Sequence, residues 1–297
     1  MYRLLITLNC IFLFTFSIQA QTISDSNLTK VQGNVYIYQG KGGNIGLNIG
    51  TDGIFMIDDQ FATETEQLLS EVKKVSTKPI EFLVNTHHHG DHTGGNANMN
   101  SNGTLIFSHD NVRSRLESMK NEEGFDAKTL PIITFSSEMN FHYNGEKIRV
   151  FHMHNAHTDG DAMVYFPKSN VLHTGDIFFN GKYPYIDIEN GGTVDGTLNA
   201  LKRVLEEVIN EDTKIIPGHG PVGSKKDVDL AAEMLSFIEG RINYHYLDKK
   251  TIEEVLSMTD ITSQFDDLGY GNGYITREKF IRMLYAEAEK KHNKQKF

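Results

Sequence analysis

The segment His87-His88-His89-Gly90-Asp91-His92 gathers imidazoles and a carboxylate into one short stretch of chain. Imidazole nitrogens and carboxylate oxygens are the ligands that a borderline cation such as zinc accepts. The apolar run Ile80-Glu81-Phe82-Leu83-Val84 reads as a strand that runs straight into Asn85-Thr86-His87. In an extended or turning backbone, residues two apart point the same way, so His87 and His89 converge on one ion. A sharp turn, allowed by Gly90, Gly94 and Gly95, would redirect Asp91 and His92 toward a second. Three histidines in a row also have a bland reading, a solvated His-rich loop. The Asp-His continuation and the strand in front favour the ligand reading.

Three later segments supply what a two-metal site still lacks. His157 lies in His154-Asn155-Ala156-His157-Thr158-Asp159, after a strand; Asp176 closes Val171-Leu172-His173-Thr174-Gly175; His219 follows Lys214-Ile215-Ile216-Pro217-Gly218. Each is a ligand type at a strand's end, where the ligand-bearing loops of α/β proteins gather. Asp58, which closes Ile54-Phe55-Met56-Ile57, has two readings. It either accepts the outer N–H of a ligating histidine or simply forms a turn. Among the remaining histidines only His154 and His173 are candidates for such supporting roles.

The elements that must hold these residues alternate along the chain. Residues 21–60 read as short strands separated by turns, and residues 62–75 as a helix with Leu68, Leu69 and Val72 on one face. A helix is expected near 109–120, strands at 146–153, 161–166 and 170–175, and a helix at 195–209 with Leu198, Leu201, Leu205 and Val208 at helical spacing. Residues 225–291 are mostly helical in pattern, with Thr276 capping a helix that carries Phe280, Met283 and Leu284. Asp267 to Glu278 has the length of an EF-hand loop, but Gly269, Gly271 and Asn272 stand where oxygen ligands and the turn glycine belong, so no calcium site is expected. Strand clusters interleaved with helices predict one layered α/β domain over 21–297.

Length and charge limit the function. The chain has 297 residues, a net charge of −10, one cysteine and no tryptophan. An acidic balance argues against a nucleic-acid partner. Arg3, the apolar run 4–18 and Ala20 form the pattern of a cleaved export signal over residues 1–20, too short to span a bilayer comfortably. Its removal shifts the charge to −11 with the loss of Arg3 and takes away Cys10, leaving no thiolate nucleophile or ligand. A periplasmic or secreted protein without stable membrane insertion is expected.

With those motifs in order, the chain resembles the metallo-β-lactamase-fold hydrolase superfamily over about residues 30–225. The resemblance implies an αββα sandwich of two mixed β-sheets with helices outside, here followed by a helical C-terminal extension over about 226–297. It implies a first zinc on His87, His89 and His157, a second on Asp91, His92 and His219, and Asp176 bridging the two. Such a pair of ions would hold a bridging hydroxide that attacks the carbonyl or phosphoryl centre of a small molecule, with Asp91 orienting it and carrying a proton.

Asp176 and His89 narrow that reading. Secreted β-lactamases of the first two subclasses carry cysteine where Asp176 stands, whereas glyoxalase II, lactonases and phosphodiesterases carry a bridging Asp. His89 differs from the carboxylate of flavodiiron proteins. An ester, thioester, lactone or amide is therefore the leading substrate class. The alternatives are β-lactam hydrolysis and the chemistry of a mononuclear iron persulfide dioxygenase. In the loop Phe178–Asp187, Lys182 and Tyr183 are the candidate substrate anchors, against the bland reading of a surface turn.

Overall fold

The computed structural model describes residues 26–294. Seven strands form the first sheet, in sequential order: β1 (Leu28–Gln32), β2 (Val35–Tyr38), β3 (Ile45–Ile49), β4 (Ile54–Ile57), β5 (Ile80–Asn85), β6 (Leu105–His109) and β7 (Ile133–Phe135). The pairs from β1 to β4 are antiparallel and those from β4 to β7 parallel. A second sheet takes the order β12-β11-β10-β9-β8 from β8 (Glu138–Tyr143), β9 (Glu146–His152), β10 (Ala162–Phe166), β11 (Val171–His173) and β12 (Lys214–Ile216). Only β11 and β12 are parallel there. Both sheets are mixed, as expected.

Strand periodicity explains the layering. In β4 all four residues are buried, because the two faces of the strand are covered by different partners. Phe55 and Ile57 point between the sheets, where they meet Val150, Val164, Phe166 and Ile216. Ile54 and Met56 point outward against Leu68 and Val72 of α1 (Thr65–Val75). The short helices α2 (Gly90–Thr93) and α3 (Asn96–Ser101) and the longer α4 (Asp110–Ser118) follow β5 and β6. On the far side Met163, Leu172 and Ile215 pack on Leu201 of α5 (Val194–Arg203) and Val228 of α6 (Lys225–Leu247). The result is the four-layer αββα sandwich. Phe55 is fully buried between the sheets, so Phe55→Ala would cost about 3–5 kcal/mol.

The extension has a core of its own. The inner face of α6, with Met234, Leu235, Ile238 and Ile242, packs against α7 (Ile252–Ser257), α8 (Ser263–Asp266) and α9 (Arg277–Lys294). Thr276 precedes α9 and its hydroxyl accepts from the Lys279 N–H at 3.3 Å. Among the described residues no helix is long and apolar enough to cross a membrane. The leader-like residues 1–20 lie outside the described part.

Several elements differ from the sequence reading. Strands β1, β6, β7 and β8 went unrecognised; the last alternates partly buried and exposed residues at a sheet edge, so it lacks a strong apolar signal. The helix expected at 195–209 ends in a π-helical turn, Val204–Val208. The strand expected over 170–175 stops at His173, and Gly175–Ile177 is a 3-10 turn.

Candidate metal centre

The candidate ligands all come from loops at one end of the two sheets. β4 delivers Asp58, β5 delivers His87 to His92, the β9–β10 connection delivers His157, and β11 and β12 deliver Asp176 and His219. Parallel pairing sets the heights, since Ile57 lies beside Val84 and His173 beside Ile216. After His89 the chain enters α2 directly, and this single helical turn redirects Asp91 and His92. A side chain on Gly90 would meet nothing, so that glycine is not what permits the turn. Gly218 is different: a Cβ there would lie 1.9 Å from Asp176 Oδ1, which leaves only glycine room beside the carboxylate.

Three imidazoles converge first. His89 Nδ1 lies 3.1 Å from His87 Nε2 and 3.0 Å from His157 Nε2. A tetrahedral ion bonded at about 2.0–2.1 Å to each would space them by roughly 3.3 Å. The opposite ring nitrogens are occupied as donors. His157 Nδ1 donates to the Tyr185 carbonyl at 2.8 Å, and His89 Nε2 to Asp187 Oδ2 at 2.9 Å. His87 Nδ1 lies 3.0 Å from the Thr86 hydroxyl, which itself donates to Asp58 Oδ2 at 2.8 Å. Each inward nitrogen therefore presents a lone pair. Burial holds the His87 imidazole well below its ordinary pKa and pulls His157 down to about 4, so both are neutral.

The second group is Asp91, His92 and His219. His219 Nε2 lies 3.2 Å from Asp91 Oδ2, and His92 Nε2 lies 3.7 Å from the same oxygen. His92 Nδ1 donates to Asp58 Oδ2 at 2.8 Å. Burial opposes charge on His92, yet Asp176 and Asp58 carry its pKa well above the ordinary value. Burial likewise opposes charge on His219, and Asp176 and Asp91 outweigh it, lifting the imidazole to about 9.

Asp176 stands between the groups. Its Oδ2 is 3.8 Å from His87 Nε2, 3.7 Å from His157 Nε2 and 3.4 Å from His219 Nε2, while Oδ1 is 3.1 Å from His92 Nε2. Burial would raise this carboxyl, but the neighbouring His92 and His219 hold it well below the usual range. His92 Nε2 and Asp176 Oδ1 are buried and find no hydrogen bond. Polar atoms left this way are costly unless a cation meets them. The donor set fits divalent ions such as zinc. The fold brings together the residues expected as ligands, His87, His89, His157 and Asp176 in one cluster and Asp91, His92 and His219 in another, with His88, His89 and Asp187 forming a third.

Asp58 does more than support one ring. Its Oδ1 accepts the Thr86 N–H at 2.7 Å, and its Oδ2 serves both the Thr86 hydroxyl and His92. It is fully buried with φ 60°, a left-handed conformation Asp tolerates better than most residues. Asp187 was not singled out in the sequence, because its partner His89 is 98 residues away and nothing local marks it. His173 does not reach a ligand; its Nδ1 accepts from the Gly175 N–H and its Nε2 donates to the Asn44 carbonyl, which fixes the turn before Asp176.

The sequence model of the metallo-beta-lactamase superfamily matches residues 28–220. The chain belongs to this superfamily. The match spans both sheets and every candidate ligand, and stops where the helical extension begins. A type 2 metallo-beta-lactamase of Bacillus cereus is 25% identical over 216 residues, covering 69% of this chain and 79% of the relative. A probable metallo-hydrolase of Methanocaldococcus jannaschii is 28% identical, over 65% of this chain and 89% of its own. Among solved structures, DIM-1 metallo-beta-lactamase superposes with a TM-score of 0.60 at 21% identity over 70% of this chain and 96% of its own. The sec-alkyl sulfatase PisA1 reaches 0.71 at 16% identity, over 89% of this chain but only 50% of its own. These likenesses establish a metallohydrolase fold.

In front of the superfamily's metal centre lies a cavity of about 690 Å³. Phe61, Phe179, Lys182, Tyr185 and Tyr274 line it beside the ligands. Tyr183 also borders it, yet its ring stacks on Phe280 at 4.5 Å and its hydroxyl donates to Asp266 at 2.7 Å. That side chain ties the loop after Asp176 to the extension.

Proposed function

We propose that this protein is an exported two-zinc hydrolase acting on an ester, thioester, lactone or amide of a small molecule. The observation that carries the proposal is Asp176, a buried carboxylate facing both ligand groups at the floor of a cavity. His87, His89 and His157 would hold one ion, and Asp91, His92 and His219 the other, with Asp176 shared. Zinc held there would polarise the scissile carbonyl as a Lewis acid and activate water near neutral pH.

The chain's own groups do the rest. Burial would raise the Asp91 carboxyl, but without metal the neighbouring His219 holds it lower. With the ions bound, their charge would likewise favour the Asp91 carboxylate, which could take a proton from the attacking water. Its side chain is 25% exposed, which gives the proton a way out. Phe179, stacked on His219 at 5.1 Å, and Tyr185 give the cavity apolar walls that exclude bulk water. Lys182 supplies a cation for an anionic group of the substrate. Export rests on the leader pattern at residues 1–20.

The test is a panel of a p-nitrophenyl ester, an acyl thioester, a γ-lactone and a chromogenic cephalosporin, assayed with zinc and then chelator, alongside metal analysis. Turnover lost to chelator and restored by zinc, at two zincs per chain, is the expected result. Cephalosporin as the best substrate would make the protein a β-lactamase. One iron per chain with sulfur-oxidising activity would overturn the hydrolase reading.

A further inference from the structure

Three segments distant in sequence meet beside the first ligand group. Helix α4 lies against the loop that follows His157, and that loop lies against the turn at 187–192. Two glycines permit the approach. A Cβ on Gly160 would sit 2.9 Å from Val112 Cγ2 of α4. Gly191 has φ 86°, and a Cβ there would sit 2.7 Å from the Asp159 Cβ.

Arg115 projects from α4 into this junction and uses all three guanidinium nitrogens. Nε and Nη2 fork onto the Asp159 carboxylate at 3.3 and 2.6 Å. Nη1 donates to Asn190 Oδ1 at 2.7 Å. A guanidinium only donates, so the Asn190 amide keeps its oxygen toward Arg115 and its NH2 away from it. That NH2 donates to Asp187 Oδ2 at 2.7 Å, the same oxygen that accepts from His89 Nε2 at 2.9 Å. The Asn190 backbone N–H reaches Asp187 Oδ1 at 3.1 Å. Asn190 thus fixes the acceptor of a ligand histidine, and Arg115 fixes the Asn190 side chain.

We infer that Arg115 is a positioning residue for His89, acting through Asn190 and Asp187, and through His89 for the first ion of the zinc centre proposed above. With the guanidinium in place, Asp187 stays where the His89 ring must donate, and the inward Nδ1 keeps its lone pair. Without it the Asn190 amide is free to rotate away from Asp187. The Asp159 arm matters less. Its loop keeps the bond from the Asp159 N–H to the Asn190 carbonyl at 3.0 Å, and the bond from Asn111 Nδ2 to the Asp159 carbonyl at 2.8 Å. Lysine would be a poor replacement, because an ammonium lacks the planar fork that reaches two acceptors at once. Nothing local in the sequence joins the pair, since Arg115 and Asn190 stand 75 residues apart.

Two measurements on the purified chain test this. Proton NMR of the metal-free protein follows the imidazole N–H lines, with the His89 line assigned by its loss in His89→Gln. Competition against a chromophoric chelator gives the two zinc affinities. In Arg115→Ala the His89 Nε2 proton should broaden into exchange with water. The His173 line should remain, because its Nε2 donates to the Asn44 carbonyl, and it reports a folded core. Affinity for the first zinc should fall by roughly 10-fold, the low end for an outer partner, with the second nearly unchanged. Asn190→Ala should do the same. Combining the two should cost no more than the larger single loss, because both break one chain of bonds. A His89 line unchanged in both variants, losses that multiply in the double variant, or equal weakening of both ions would each overturn the inference. A wild-type chain that binds no zinc would defeat the two-zinc reading instead, and the His89 line alone would still decide the role of Arg115.

Discussion

The two ligand groups differ in how they meet the absence of a cation. In the His87–His89–His157 group every outward ring nitrogen donates to an oxygen, and burial keeps His87 and His157 neutral. That group is shaped in advance for a cation. In the Asp91–His92–His219 group the imidazoles face carboxylates, and both are pushed toward the protonated form. Here the carboxylates favour protonation, so protons compete with a cation for the same ring nitrogens. The difference teaches that an ion enters the first group without displacing protons but must expel them from the second.

Asp176 is the residue both groups share, so removing it should have the largest effect. Asp176→Ala leaves His92 Nε2 with only the more distant Asp91 Oδ2, 3.7 Å away, and takes the common oxygen from His87, His157 and His219. Metal content should fall from two ions per chain to one or none. Hydrolysis should drop by more than the roughly 10–100-fold typical of losing an outer partner. Two ions retained at wild-type affinity would refute the shared role.

Acidity should separate the two groups next. His219 is raised to about 9 from its ordinary 6.5, so in the metal-free protein its stabilising contribution is full below pH 6.5 and lost as pH rises through 9. His157 is lowered to about 4, so its contribution is full above pH 6.5 and lost as pH falls through 4. Metal affinity of the second group should therefore climb with pH between 6.5 and 9, by about two orders of magnitude, while the first group stays nearly constant. Zinc titrations by calorimetry from pH 6.5 to 9 would show one site that tightens as pH rises and one steady site. Parallel behaviour of both sites would remove the distinction.

Outer partners come third, and Asp58 and Asp187 sharpen the comparison because they support different groups. Asp58 holds His92 directly and His87 through Thr86, so Asp58→Asn should weaken both ions, by roughly 10–100-fold in affinity. Among the ligand side chains the Asp187 carboxylate supports only His89, its other partner being Asn190, so Asp187→Asn should weaken the first ion alone. A selective loss of the second ion in Asp187→Asn would contradict the assignment.

How far the chain's own letters foretold this centre depended on sequence distance. His87, His89, Asp91 and His92 stand together behind an apolar strand, so type and spacing were enough to read them. His157, Asp176 and His219 were legible because each closes a strand. Asp58 was readable as a support, but its hold on both groups depends on the Thr86 hydroxyl, which no spacing rule marks. Asp187 was invisible for the same reason: a hydrogen bond between loops far apart in sequence follows from topology, not from local pattern. The sandwich followed from strands interleaved with helices, while the edge strand β8 escaped because one of its faces is exposed and polar.

The smallest expected effects come from the neighbours Lys182 and Tyr183, which the sequence placed together as substrate anchors and the structure sets in different surroundings. Lys182 is exposed at the cavity, and its stem lies beside Gly273 of the extension. Tyr183 is 1% exposed, with its hydroxyl on Asp266. Lys182→Ala should raise KM for an anionic substrate severalfold with kcat nearly unchanged, because it removes binding that the ground and transition states share. Tyr183→Phe should leave KM alone and instead lower stability by about 1–2 kcal/mol through the lost bond to Asp266. Kinetics on a charged and an uncharged ester, with a thermal melt of each variant, would separate the two. A KM that rises in Tyr183→Phe without a change in melting would return that hydroxyl to the substrate, and with it the pairing the sequence proposed.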